Sequence, residues 1–431
     1  MQNINVIGAG LAGCEAALWL AKNGINVTIF EQKPGAKSPA HKKDTFAELV
    51  CSNSLKADRP DSASGILKLE MALLGSNILP IAQSVRVAAG GALAVDRDRF
   101  TQAVTEAVKA EQNIKIVYGE VTDLNFDDPT IVATGPLTSE ALAQTIASIT
   151  GDDRLYFYDA AAPIVTADSI DMEKVFSASR YGKGEADYLN CPFNKDEYDT
   201  FAKTLAEAES APRHEVDAQM KVFEGCMPIE VMARRGADTM RFGPLRPVGL
   251  VNPATGHRPW ANVQLRREDE KASMYNIVGF QTNLKFGEQK RVFGMIPGLE
   301  NAEFVRYGVM HRNTFLNSPN LLNKTLNLKS NENIYFAGQI TGFEGYMESA
   351  ASGLLAAHFV YDKIMGKTPL DLPQTTMCGA LLNYITTQNK DFQPMGANIG
   401  ILPPLEENIR DKRERYLQVS NRAVKDLENI L

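Results

Sequence analysis

Cys51 and Cys226 are the side chains whose neighbours best suit them to covalent chemistry in this chain of 431 residues. Cys51 runs into Ser52-Asn53-Ser54, residues that favour caps and turns and can leave a thiol near a helix start. Cys226 lies between Gly225 and Met227-Pro228, with Arg234 and Arg235 following. A cationic neighbour or a helix N-terminus lowers a thiol pKa and creates the nucleophilic thiolate. On the residues alone each stays open between nucleophile and buried packing residue, the commoner fate of a free cysteine. Cys14 suits a packing position under the first helix, and Cys191 and Cys378 have no comparable surroundings, so all three are expected to be structural. With no CxxC pair and no metal-ligand spacing among the five histidines, no metal site is expected.

Chemistry at a thiol needs a scaffold, and residues 3–31 supply its signature. An apolar run at 4–7 suits a buried parallel strand, GxGxxG follows as Gly8, Gly10 and Gly13, then a helical pattern, then a second strand ending on Glu31. Gly8 permits the tight turn, Gly10 lets backbone approach a pyrophosphate, and Gly13 lets helix pack on strand. The helix N-terminus offers unpaired N–H groups to phosphate. Glu31 is placed for a ribose hydroxyl. Strand, glycines, helix, strand and acid in that order imply a dinucleotide site lined by Gly8, Ala9, Gly10, Leu11, Ala12, Gly13 and Glu31. Two later stretches extend it. TIVATGP (residues 130–136) places Gly135 after a short strand, as at the close of the first nucleotide unit in two-dinucleotide-fold flavoproteins. NIYFAGQITGFEGYMESAASG (residues 333–353) resembles their second motif, with Gly338, then Gln339 where many have Asp, and Tyr346. Motifs near both ends predict an α/β chain: a Rossmann-like FAD-binding domain of glutathione-reductase type assembled from both termini, around an inserted α+β domain. The expected division is 1–170, 171–325 and 326–431. Within the middle, residues 263–265, 277–281 and 291–293 read as antiparallel strands; earlier, 45–50 reads as helical.

The length exceeds a typical single core. No apolar run reaches the roughly 20 residues of a membrane span. The first strand begins a few residues from Met1, leaving no room for a signal peptide, and the five cysteines fit a reducing cytoplasm. Residues 221–320 carry 14 Lys and Arg against 9 Asp and Glu, on a chain of net charge −7. That basic middle suits a polyanion on one face, a solvated mixed surface being the alternative.

Several motifs together resemble one family. They are Cys51-Ser52-Asn53-Ser54, GGALAVDRD (90–98), FYDAAAPIV (157–165), YLNCPF (188–193), FEGCMPIE (223–230), YNIVGFQT (275–282), MIPGLENAEFVRYGVMHRN (295–313) and GQITGFEGYMESAASG (338–353). The chain is similar over its whole length to the bacterial folate- and FAD-dependent tRNA (uracil-5-)-methyltransferases. It departs from their pattern at Gly396 and Ile399, where the family usually has Asn and Phe.

The resemblance implies a cytoplasmic enzyme that methylates carbon 5 of the T-loop uridine of tRNA (position 54). The one-carbon unit would come from 5,10-methylenetetrahydrofolate, and FAD would be reduced by NADPH or NADH. It implies Cys226 as the thiolate that adds to uracil carbon 6 and Cys51 as the thiol near the flavin. Tyr346 would lie beside the isoalloxazine or pack in the core. Arg234, Arg235, Arg241, Arg246 and Lys285 would contact phosphates of the T-arm. The sequence leaves open the same chemistry on a 23S rRNA uridine, a flavin-containing RNA-binding or chaperone-like role, and the oligomeric state.

Overall fold

A five-stranded parallel sheet carries the first motif and takes its strands from both ends of the chain. In order across the sheet they are Ile334–Phe336, Thr130–Val132, β1 (Asn3–Ile7), β2 (Asn26–Glu31) and Ile114–Tyr118. The computed structural model describes residues 3–38, 40–151, 154–182, 186–211, 227–389 and 392–431. β1 is buried from Ile4 to Ile7, as a strand inside a parallel sheet covered on both faces must be, and its one buried polar side chain, Asn5, donates to Thr130 Oγ1 at 3.4 Å. Helix α1 (Leu11–Lys22) is buried from Leu11 through Ala21, since it is enclosed between the sheet and the long helix Tyr346–Ile364. The two helices touch where a Cβ on Gly353 would lie 2.1 Å from the Ala12 carbonyl oxygen, so glycine sets their separation.

The middle of the chain builds a second layer. Six antiparallel strands run in the order Phe176–Ser177, Tyr188–Phe193, Ala261–Arg267, Met274–Ile277, Ile164–Thr166 and Phe304–Arg306. Helices Lys195–Glu207, Ile229–Arg235 and Phe286–Phe293 accompany them. The paired strands Arg154–Ala160 and Met310–Leu316 lead the chain out and back. Ile29, Ile131, Phe315, Phe336, Leu354 and Leu427 share one apolar cluster, and Val165, Phe201, Val263, Phe280 and Phe293 share another. This is an α/β Rossmann-like domain assembled from both termini, with an inserted α+β domain.

Three local expectations fail. Of residues 277–281 only Ile277 lies in a strand, Met274–Ile277, because the chain turns at Val278 and Gly279, the glycine at φ 81°. Residues 291–293 end the helix Phe286–Phe293, where Gln289, Val292 and Phe293 are buried on helical spacing rather than strand alternation. Residues 45–50 form no helix, bending at 45–47 and running irregularly through 48–50. Ala47 sits at φ 49°. Its N–H donates to Ala9 O at 2.9 Å, and the Phe46 N–H donates to Thr105 Oγ1 at 2.8 Å. Those outward bonds pin the segment against the glycine turn, where helical bonding would have pulled it away.

Candidate active site

The carboxyl ends of the parallel strands open into a cleft. Gly8, Ala9, Gly10, Leu11 and Ala12 line it from the first turn, Glu31 from the end of β2, Gly135 from the ATG turn, and Gly338, Gln339 and Tyr346 from the second motif. Of the expected cofactor residues only Gly13 does not face the cleft. A Cβ there would stand 1.9 Å from Gly8 O, so Gly13 acts by letting α1 pack beneath the turn. Gly8 is held at φ 97°, where a Cβ would also lie 2.8 Å from Ala133 O. Gly338 adopts φ 86° and its N–H donates to Ser352 Oγ at 2.6 Å.

Glu31 is buried and shapes the turn: Oε2 accepts the Ala9 N–H at 2.8 Å and Oε1 the Lys33 N–H at 2.9 Å. No side chain caps the start of α1, so its first N–H groups remain available at the Gly10 end of the cleft. A backbone cradle that tolerates no Cβ, an uncapped helix start and a carboxylate at the next strand end fit the pyrophosphate and ribose of a dinucleotide. Sequence reading missed Gly119, Glu120 and Val121, which line the cleft after the strand Ile114–Tyr118. The rule that ligands bind beyond the carboxyl ends of parallel strands was the signal available for them.

Where the first and last segments meet, a thiol and a phenol face each other. The Tyr346 hydroxyl donates to Cys51 Sγ at 3.2 Å and accepts the backbone N–H groups of Cys51 at 2.8 Å and Ser52 at 3.3 Å. Burial, with the Cys51 sulfur second, pushes the Tyr346 phenol well above its ordinary value, so it stays a neutral donor. The inserted domain grips the same segment. Arg266 donates through Nη2 to Ser52 Oγ at 2.7 Å and through Nε to Asn53 Oδ1 at 2.8 Å. Asn53 Nδ2 in turn donates to Val95 O and Arg267 O. Arg97 donates to Leu49 O at 3.0 Å and pairs with buried Glu268. In that pair Nε lies 2.7 Å from Oε2 but poorly aligned for a hydrogen bond, while Nη2 donates to Oε1 at 3.3 Å. Cys51 is half-buried, whereas Cys14, Cys191 and Cys378 are buried. Burial raises all three of those thiols, which keeps them protonated.

Cys226 lies outside the described residues. None of the five basic residues lines the cleft. Arg234 donates to Ala206 O and Ala208 O, and Arg241 donates to Trp260 O with its guanidinium 3.8 Å from that ring. Lys285 pairs with Glu209, while Arg235 and Arg246 are exposed. At Gly396 a Cβ would lie 2.8 Å from Glu344 O, so the larger family residue requires local adjustment.

Fold and cleft define a dinucleotide-binding protein of the two-motif kind. The family model "Glucose inhibited division protein A" matches residues 3–368. A relative from Acetivibrio thermocellus is 57% identical over 426 residues, covering 99% of this chain and 98% of its own. One from Bacillus subtilis is 54% identical over 430 residues, covering 100% and 98%. Both are named methylenetetrahydrofolate--tRNA-(uracil-5-)-methyltransferase TrmFO. Aquifex aeolicus GidA superposes with TM-score 0.71 at 17% identity, over 99% of this chain and 73% of that one. The chain belongs to the glucose inhibited division protein A family and, within it, to the TrmFO group.

Proposed function

We infer that this chain is a folate-dependent tRNA (uracil-5-)-methyltransferase that converts the T-loop uridine to 5-methyluridine. The observation that carries the reading is the contact of Cys51 with Tyr346 at the edge of the dinucleotide cleft, a thiol set beside the second nucleotide motif. Family membership at more than half identity supports it. The glycine turn, Glu31, Gly135, Gly338 and Gln339 would hold FAD. When bound and reduced, FAD supplies the two electrons that turn a one-carbon unit at the formaldehyde level into a methyl group.

The chain's own part is nucleophilic and positional. Uracil carbon 5 reacts with an electrophile only after a nucleophile adds to carbon 6, and a thiolate both adds and leaves readily. Cys226 takes that role, and Cys51 serves carbon 5. Tyr346 and Arg266 hold the backbone and hydroxyl groups around Cys51. The target base leaves its stack to reach the thiols. Arg234, Arg235, Arg241, Arg246 and Lys285 belong to the surface that meets RNA phosphates, so binding weakens as salt rises. NADPH or NADH serves as electron source from a transient site over the flavin. The protein works in the cytoplasm, where tRNA is. We place the domain limits as 1–170, 171–325 and 326–431.

The test is methyl transfer from labelled methylenetetrahydrofolate, with NADPH, to a T-loop transcript, comparing wild type with Cys51→Ala and Cys226→Ala. Label in the uracil with wild type and none with either variant supports the reading. Full activity in both variants refutes the site, and label only in ribosomal RNA refutes the substrate.

A further inference from the structure

Three arginines surround Cys51, and the structure accounts for two. Arg266 is engaged by Ser52 and Asn53, and Arg97 by Leu49 O and Glu268. Arg306 is the third. It is half-buried, and the charges bearing on it are those of Arg97, Tyr346, Cys51 and Glu268. Among the described residues its guanidinium makes no hydrogen bond or ion pair. Glu268 is already held by Arg97, and the Tyr346 hydroxyl donates to Cys51. A guanidinium carries five N–H donors, and a half-buried one without an acceptor is costly unless something else completes it.

Its direction is set by the backbone. Arg306 ends the edge strand Phe304–Arg306, which pairs Phe304 with Val165 but Arg306 with Ile164. The two-residue step from Phe304 to Arg306 thus faces a one-residue step on the partner strand, so one extra residue is inserted on the side of Arg306. Such bulges bend an edge strand and re-aim a side chain, and they occur preferentially beside active sites.

We propose that Arg306 is a catalytic residue of the methyl transfer, donating to the carbon 4 carbonyl oxygen of the target uracil and holding the negative charge that gathers there. The assignment rests on the uridine-methylating reading above. The sulfur–carbon bond forms at carbon 6, and the electron pair of the carbon 5–carbon 6 double bond moves onto carbon 5 and the carbon 4 oxygen. The charge of the thiolate becomes that of an enolate. No proton moves, and Arg306 stays protonated throughout. Carbon 5 then bonds the one-carbon unit, whose bond to the folate nitrogen breaks with the electron pair going to nitrogen, and a hydride equivalent from reduced flavin would complete the methyl group. Cys51 takes the proton of carbon 5, and the electron pair left behind restores the double bond and expels the Cys226 sulfur as thiolate. Carbon 4 neighbours carbon 5, so the group that meets its oxygen belongs beside the thiol serving carbon 5, which is where Arg306 stands.

The experiment uses the full chain with its flavin and a T-loop hairpin RNA, natural or carrying 5-fluorouridine at the target. With methylenetetrahydrofolate present, fluorine replaces the proton that carbon 5 must lose, so the protein–RNA bond persists and is read on a denaturing gel. Arg306→Gln is expected to slow both adduct formation and kcat by about 10²–10³-fold, the usual loss for a donor to a developing oxyanion. KM for RNA should change little. Arg306→Lys should recover part of the rate, because it keeps the cation and loses the fork. Flavin content and melting should match wild type in both variants, since no protein partner is lost. A raised KM with unchanged kcat would make Arg306 a phosphate contact and overturn the proposal. So would normal adduct formation with slowed methylation. Wild-type protein giving neither adduct nor methylated RNA would sink the parent reading, and this assignment with it.

Discussion

Replacing Tyr346 by Phe removes one oxygen and leaves the ring, which makes it a test of what that hydroxyl holds. The oxygen accepts the N–H groups of Cys51 and Ser52 and donates to Cys51 Sγ. An enclosed N–H deprived of its acceptor costs about 1–3 kcal/mol, whereas a typical intact hydrogen bond contributes only about 0.5–1.5 kcal/mol. Tyr384 is the internal control, because its hydroxyl donates to Gln393 O at 3.0 Å and no backbone N–H depends on it. Tyr346→Phe should therefore lose more stability than Tyr384→Phe. The extra loss would appear as about 2–4 °C of melting temperature per kcal/mol for a domain of this size. Thermal unfolding of the flavin-loaded protein measures both. The same substitution frees the backbone of residues 51–52, and a displacement on the order of 1 Å at a reacting group costs about 10²-fold. A tenfold or greater loss of kcat is thus expected on this basis from Tyr346→Phe and little from Tyr384→Phe. If the two variants melt alike and Tyr346→Phe keeps wild-type turnover, the hydroxyl does not organise the thiol segment and the reasoning fails.

Arg97→Met leaves Glu268, 3% exposed, without its cation. We expect a loss of about 3–5 kcal/mol by denaturant unfolding, with less lost when Glu268→Leu accompanies it. Glu15 accepts from Ser76 Oγ, Asn77 N and Ile78 N, and burial pushes its carboxyl up to about 7 from 4.5. A folded-state pKa above the unfolded one gives stability that is full below about pH 4.5 and lost as pH rises through about 7. Up to about 3 kcal/mol of pH-dependent stability follows at 1.36 kcal/mol per pKa unit; Glu15→Gln should flatten that slope, and an unchanged slope would contradict it. Gly353→Ala puts a methyl 2.1 Å from Ala12 O and must push α1 from the long helix. Overpacking of this kind costs about 1–3 kcal/mol, and flavin retained at wild-type affinity would show that the helices separate without disturbing the cleft.

What could be read from the sequence follows how far apart the cooperating residues lie. Gly8, Gly10, Gly13 and Glu31 were legible because strand, turn, helix and strand are local, and each glycine answers a steric demand made within a few residues. The sharing of one sheet by Asn3–Ile7 and Ile334–Phe336 was legible because a second motif repeats the same local demand. The segment 45–50 was misread because its outward bonds to Ala9 and Thr105 outweighed local helical preference. The residues at 291–293 show a different failure. An apolar pair after charged residues suits strand or helix until the burial of Gln289 reveals the helical spacing. Cys51 and Tyr346 were each singled out, but nothing in either neighbourhood implied that the hydroxyl of one donates to the sulfur of the other across 295 positions. Arg306 was further from reach, since its place depends on a bulge against Ile164 and Val165 that no residue pattern marks. The cofactor cradle is thus specified by short-range sterics, while the reacting groups are specified by packing between the two clusters. Substitutions in the glycine turn should therefore act first on flavin retention, and those at Tyr346, Arg266 and Arg306 first on turnover. A Gly8 or Gly13 variant that keeps its flavin but loses kcat would break that division.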